Sequence, residues 1–113
     1  MNIVDQITNY LIRPTRERYH INRLGPTHLF VHVPGFPSSQ VFREDGHFLN
    51  NKKQKIYYSF YNNVASQVPN ICVFYLHANN GSRVEGLHYL HALLESGFNV
   101  CLLDFAGSGM SEG

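Results

Sequence analysis

The spacing of apolar residues changes along the chain and predicts its elements. Ile3, Val4, Ile7 and Leu11 recur at helical intervals, so residues 2–12 read as a short amphipathic helix that ends near Pro14. Its flanks are not lysine-rich, which favours a helix docked on the domain over a membrane-surface anchor. Residues 13–40 hold Pro14, Pro26, Pro34, Gly35 and Pro37, with one extended piece over residues 28–33, and read as a loop-rich lead-in. Beyond it, Val41-Phe42-Arg43 and Gly46-His47-Phe48-Leu49 approach a polar turn at residues 50–53, and residues 55–61 leave it. Aromatic and β-branched runs on both sides of a turn predict a hairpin.

Residues 71–76 are continuously apolar, the pattern of a strand covered on both faces within a parallel sheet. Ser82 and Glu85 stand at capping-box spacing and predict a helix start, with Val84, Leu87, Leu90 and Leu94, joined by Tyr89 and Leu93, on its apolar face. Gly97 is placed to end that helix in a left-handed conformation. Residues 99–104 then read as a second covered strand. Strand, helix and strand form a βαβ unit, whose crossover makes the two strands parallel. The predicted class is α/β, with a hairpin leading into the βαβ unit of an incomplete sheet. The predicted organisation is residues 1–40 as helix and lead-in and 41–113 as the sheet-forming part, with no internal repeat.

Composition narrows the function without supplying it. The 113 residues are 43% hydrophobic and 15% charged, an ordinary globular balance. Nine basic against eight acidic residues leave a formal charge of +1, too weak a field to hold nucleic acid. Cys72 and Cys101 lie inside apolar runs and lack metal or redox spacing, which leaves them as buried free thiols. No signal-peptide pattern opens the chain and no apolar run approaches the roughly 18 residues a membrane span needs, so a soluble, cytoplasmic protein without a transmembrane segment is expected.

In an open parallel sheet, chemistry sits in loops that leave the carboxyl ends of strands. Two such loops are visible: His77-Ala78-Asn79-Asn80-Gly81, and residues 105–113. The first offers free backbone N–H groups of the kind that stabilise an oxyanion, although an ordinary strand-to-helix turn has the same spacing.

"VFYLHANNGSRVEG" followed by "LLESGFNVCLLDFAGSGMSEG" resembles the α/β-hydrolase superfamily, in particular its serine aminopeptidase-like and acyl-hydrolase members. "YLIRPTRERY" and "RLGPTHLF" are similar to the lead-in of one eukaryotic branch. The resemblance spans nearly the whole chain and is densest over residues 71–113. It implies the N-terminal part of an α/β-hydrolase fold. It makes His77 a loop histidine, makes the Asn79 N–H, beside Ala78, an oxyanion-hole donor, and places Gly81, Asp104, Gly107, Gly109, Ser111 and Gly113 in supporting loops. Ala78 stands where the family usually has glycine. A φ above zero there would cost on the order of 1 kcal/mol.

The closing residues Gly109-Met110-Ser111-Glu112-Gly113 spell Gly-x-Ser-x-Gly, the motif of a nucleophile elbow. An elbow needs a strand running into the serine and a helix leaving it, and Ser111 follows the glycine-rich run 105–109 instead. The resemblance places the true elbow about 25 residues beyond Gly113, with acid and base later still, so none of the catalytic triad is expected within the chain. The serine motif also fails as a dinucleotide loop, because Glu112 occupies the third glycine position. His88 with His91 and His28 with His32 have no third ligand in view, so no metal is expected, nor any cofactor. Asn80-Gly81-Ser82 spells a glycosylation acceptor and reads as loop.

Two functions follow as expectations. One is the nucleophile-free portion of a serine hydrolase for ester, thioester or amide bonds, acting on a small-molecule or acylated substrate once completed. The other is a non-catalytic interaction module or truncated product. The apolar strands exceed the helices available to cover them, so an exposed apolar patch, marginal stability and self-association through an open sheet edge are expected.

Overall fold

Alternation of period two in the lead-in produces more strand than its prolines suggest. A computed structural model describes residues 16–65, 70–78 and 81–113; the helix predicted for residues 2–12 lies outside them, as does Asn79. Strand β1 (His28–Val33) turns Val31 and Val33 inward and exposes His28, Phe30 and His32. The two-residue turn Pro34-Gly35 joins it to β2 (Phe36–Leu49), with Val33 opposite Phe36. Asn50 then organises the second turn: its Oδ1 accepts the N–H groups of Lys52 (3.0 Å) and Gln54 (2.9 Å), and the chain returns as β3 (Lys55–Asn63). β4 (Cys72–Tyr75) follows, then a 3-10 turn (Arg83–Gly86) that runs into α1 (Leu87–Glu95), and finally β5 (Asn99–Leu103).

Among the described residues these strands form one sheet in the order β1-β2-β3-β5-β4. β4 and β5 are parallel, with Val73 opposite Val100, while the β1–β2, β2–β3 and β3–β5 pairings are antiparallel. This corrects the predicted α/β class and, with it, the expected hydrolase-type parallel sheet: the molecule is mostly β, 40% strand against 19% helix, with a mixed and predominantly antiparallel sheet and a single α-helix. The physical reason lies before residue 50. A lead-in read as loop supplies β1 and the first half of β2, and β5 takes β3 as its second neighbour, so the hairpin is continuous with the sheet. A proline is tolerated where no ladder N–H is required of it, as at a turn or strand start.

α1 covers one face of the sheet. Leu90 and Leu94 meet Val31, Val33, Val41, Tyr61, Val100 and Leu102 in the core, with Leu87 and Leu93 packed at its margin. Tyr89, predicted for the same face, is exposed and stacks on Tyr75, ring centroids 5.3 Å apart. Gly97 ends the helix with φ 86, as its position predicts. The opposite face carries Phe30, Phe42 and Phe74 in the open, Phe74 at 60% exposure, on an edge strand with no lysine or proline to blunt it.

A buried polar joint ties the helix end to the sheet. Asn63 Nδ2 donates to the carbonyls of Leu94 (2.8 Å) and Phe98 (3.1 Å), while its Oδ1 accepts the Ser39 hydroxyl (2.9 Å). Its backbone N–H donates to Asn99 Oδ1 at 2.8 Å. The side chain thus satisfies carbonyls that a helix leaves open at its C-terminus. Asn63→Ala is expected to lose about 1–3 kcal/mol for orphaning these buried groups, read as a lowered urea midpoint with unchanged slope; an unaltered midpoint would show that the joint carries no net stability.

Candidate functional site

The parallel pair β4 and β5 sends both following loops to the same end of the sheet, and His77 fastens one to the other. His77 is buried; its Nε2 accepts the N–H of Phe105 (3.0 Å), and its Nδ1 lies 2.7 Å from the carbonyl of Ala78. A carbonyl accepts and an amide N–H donates, so the imidazole is neutral with its proton on Nδ1. The ring also lies against Phe105, centroids 4.4 Å apart. Both nitrogens are engaged, which leaves this histidine a joint rather than a free base.

Glu85 organises the first loop from the helix side. Instead of closing a capping box on Ser82, its Oε2 accepts the Ala78 N–H (2.9 Å) and the Tyr75 hydroxyl (2.7 Å). Ser82 keeps its half of the motif, accepting the Val84 N–H at 3.3 Å. The Tyr75 hydroxyl, followed by the Ala78 amide, holds the Glu85 carboxyl below its usual range. The same bond to the carboxylate pushes the Tyr75 phenol up to about 12. Gly81 N–H donates back to the Ala78 carbonyl at 2.9 Å. Lys53, in the hairpin turn, is the described non-glycine residue with positive φ, so Ala78 escapes the strain its glycine-like position threatened. The Asn79 N–H, assigned to an oxyanion hole, lies outside the described residues.

Asp104 is the centre of the second loop and is completely buried. Its Oδ1 accepts the Arg83 N–H (2.7 Å), and its Oδ2 accepts the Met110 N–H (3.0 Å) and the Tyr19 hydroxyl (2.6 Å). Arg83 Nε stands 3.5 Å from the same carboxylate and also donates to the Tyr19 hydroxyl. The rest of the guanidinium reaches Ser59 Oγ (3.2 Å) and Met110 Sδ (3.1 Å). Beyond Ser59, whose hydroxyl donates to Asp45 at 2.6 Å, Asp45 pairs with Arg43 at 3.1 Å. Cation and anion therefore alternate across β2, β3 and β5. Burial, then the bond to Asp104, raises the Tyr19 phenol above its ordinary range. Gly109 (φ 52) lets the bend pass over the carboxylate: a Cβ there would sit 2.5 Å from Asp104 Cγ.

Ser111, fully buried, faces inward. Its hydroxyl donates to the Asp104 carbonyl (2.6 Å) and accepts the Tyr57 N–H (2.9 Å). No imidazole nitrogen is among these partners. Gly107 N–H donates to the Glu112 carbonyl (2.9 Å), and Glu112 bridges to Lys55 of β3, its Oε1 accepting the Lys55 N–H at 2.7 Å. The second motif is therefore a bend stapled to the sheet. It brings Asp104, Gly107, Gly109 and Ser111 together, with His77 at its edge through Phe105.

Sequence reasoning missed the lead-in side of the site, Arg16, Glu17 and Tyr19, and the partners Arg43, Asp45 and Ser59 within the hairpin. The first three fall in or beside the quoted "YLIRPTRERY", whose charged and aromatic residues among prolines were the available signal. Among the described residues, no three His, Cys, Asp or Glu side chains gather to hold a metal, and no helix is long and apolar enough to cross a membrane. His28 stacks on Phe42 and His91 pairs with Glu95, each away from the bend. Burial pushes the Cys101 thiol up to about 11, which keeps it protonated and unreactive. Comparison with family models, with curated proteins and with solved structures found no match to the chain.

Ser111→Ala strips the Tyr57 N–H and the Asp104 carbonyl of a buried partner. It is expected to lower stability by about 1–3 kcal/mol in urea unfolding, the signature of a structural hydroxyl. Unchanged stability would contradict that role.

Proposed function

We propose that this chain is the supporting, nucleophile-free portion of a serine hydrolase that acts on ester, thioester or amide bonds through an acyl-enzyme. The reading rests on the motif resemblance over residues 71–113. The observation that carries it is the joint between the two loops, His77 Nε2 to the Phe105 N–H, at the carboxyl end of the parallel pair. Such a joint holds one loop in fixed relation to the other, as an oxyanion site beside a reaction centre requires. In this reading the Asn79 N–H, next to Ala78, donates to the oxyanion, and the bend around Asp104 supports it from behind. The substrate is a small or acylated molecule. The chemistry calls on no metal or cofactor, and the near-neutral charge offers nothing to nucleic acid. Cys72 and Cys101 are unpaired, which fits a reducing compartment, and we place the protein in the cytoplasm on that ground.

A second reading is a non-catalytic module that pairs through the open edge of β4. The exposure of Ile71, Phe74 and Leu76 along and beside that strand favours it.

A fluorophosphonate probe tests the first reading. The 113-residue chain is expected to take no label at Ser111, and stoichiometric labelling there would overturn the supporting assignment. The two readings separate in the coding sequence past Gly113. An in-frame strand, Gly-x-Ser-x-Gly and helix supports the hydrolase, whereas a stop codon confirmed in transcripts supports the module.

A further inference from the structure

The lead-in touches the site at three successive polar side chains, and each contact lands on a different part of it. Arg16 spreads its guanidinium over two carbonyls of the bend: Nε donates to Gly107 (3.1 Å) and Nη2 to Gly113 (2.9 Å). Glu17 accepts the Ser82 hydroxyl at 3.2 Å, at the cap of the helix that follows the first loop, and is itself paired with Arg23 at 3.5 Å. Tyr19 donates to Asp104 at 2.6 Å and lays its ring 5.7 Å from the Arg83 guanidinium carbon. These partners are 64 to 97 residues away in sequence. Residues 16–19 precede the first strand and contribute nothing to the sheet core.

We propose that residues 16–19 are a positioning strap: they set the placement of the 105–113 bend against the loop that follows β4, while leaving the sheet itself intact. The chemistry of each contact fits that task. A planar guanidinium that bridges Gly107 and Gly113 closes the mouth of a glycine-rich bend, which has little side-chain packing of its own. The Tyr19 hydroxyl is donor to the carboxylate and acceptor from Arg83, and so orients the buried pair around which the bend turns. The inference deepens the hydrolase reading by naming the positioning residues of its supporting loop, and its catalytic meaning rests on that reading. The strap contacts do not.

Amide hydrogen exchange on the full 113-residue chain tests it without any turnover. Arg16→Ala and Tyr19→Phe are each expected to speed exchange at Gly107, Met110 and Ser111 by about tenfold or more, the loss due to a charge-assisted bond, while amides of Arg43 and Tyr61 in the hairpin keep their rates. Arg16→Lys keeps the charge without the fork and is expected to recover only part of the protection. Unchanged loop rates, or equal acceleration at every amide, would overturn the strap; full recovery with lysine would overturn the two-carbonyl fork. Failure of the hydrolase reading shows separately, as labelling of Ser111.

Discussion

A buried ion pair, Asp104 with Arg83, organises everything at the working end of this sheet. Their side chains are 0% and 1% exposed, and an isolated charge so placed would be intolerable. The pair is held because every remaining valence is used. The carboxylate takes two backbone N–H groups and a phenol besides the guanidinium; the guanidinium takes a phenol, a serine and a thioether. Geometry of this density distinguishes a pair that specifies one arrangement from one that merely costs desolvation. Arg43 and Asp45 extend the alternation through Ser59, so the network crosses three strands and opposes slippage of β2 against β3 and of β3 against β5.

The character of the site follows from that network. Ser111 has the motif of a nucleophile and the environment of a structural hydroxyl, because the chain turns tightly around Asp104 and carries the serine beneath the bend. His77 has the chemistry of a base and the bonding of a hinge pin. In both cases the hydrogen bonds already made decide what the group does: a hydroxyl that donates to a carbonyl and an imidazole engaged at both nitrogens have no capacity left for proton transfer.

Much of the local structure was legible because it depends on near neighbours. The extended piece at residues 28–33, the polar turn at Asn50, the apolar runs that became β4 and β5, and the left-handed Gly97 all follow from spacing or from turn chemistry. The capping box was half legible. Ser82 caps as its position predicts, whereas Glu85 turns to Ala78 and Tyr75, which lie on another strand and its loop. The fold class was misread for a similar reason. An apolar run declares a covered strand but not the direction of the strand beside it, and the antiparallel neighbour of β5 is β3, some forty residues earlier by register.

What the sequence determined by itself is therefore the inventory of elements and the loops in which chemistry-bearing residues fall, since periodicity and glycine placement act over a few residues. Tertiary structure alone decided that the sheet is mostly antiparallel, that Arg16 and Tyr19 belong to the site, and that Ser111 faces inward. Those outcomes depend on contacts between residues far apart in the chain, where a buried charge must find its partners and no local pattern records which ones it finds.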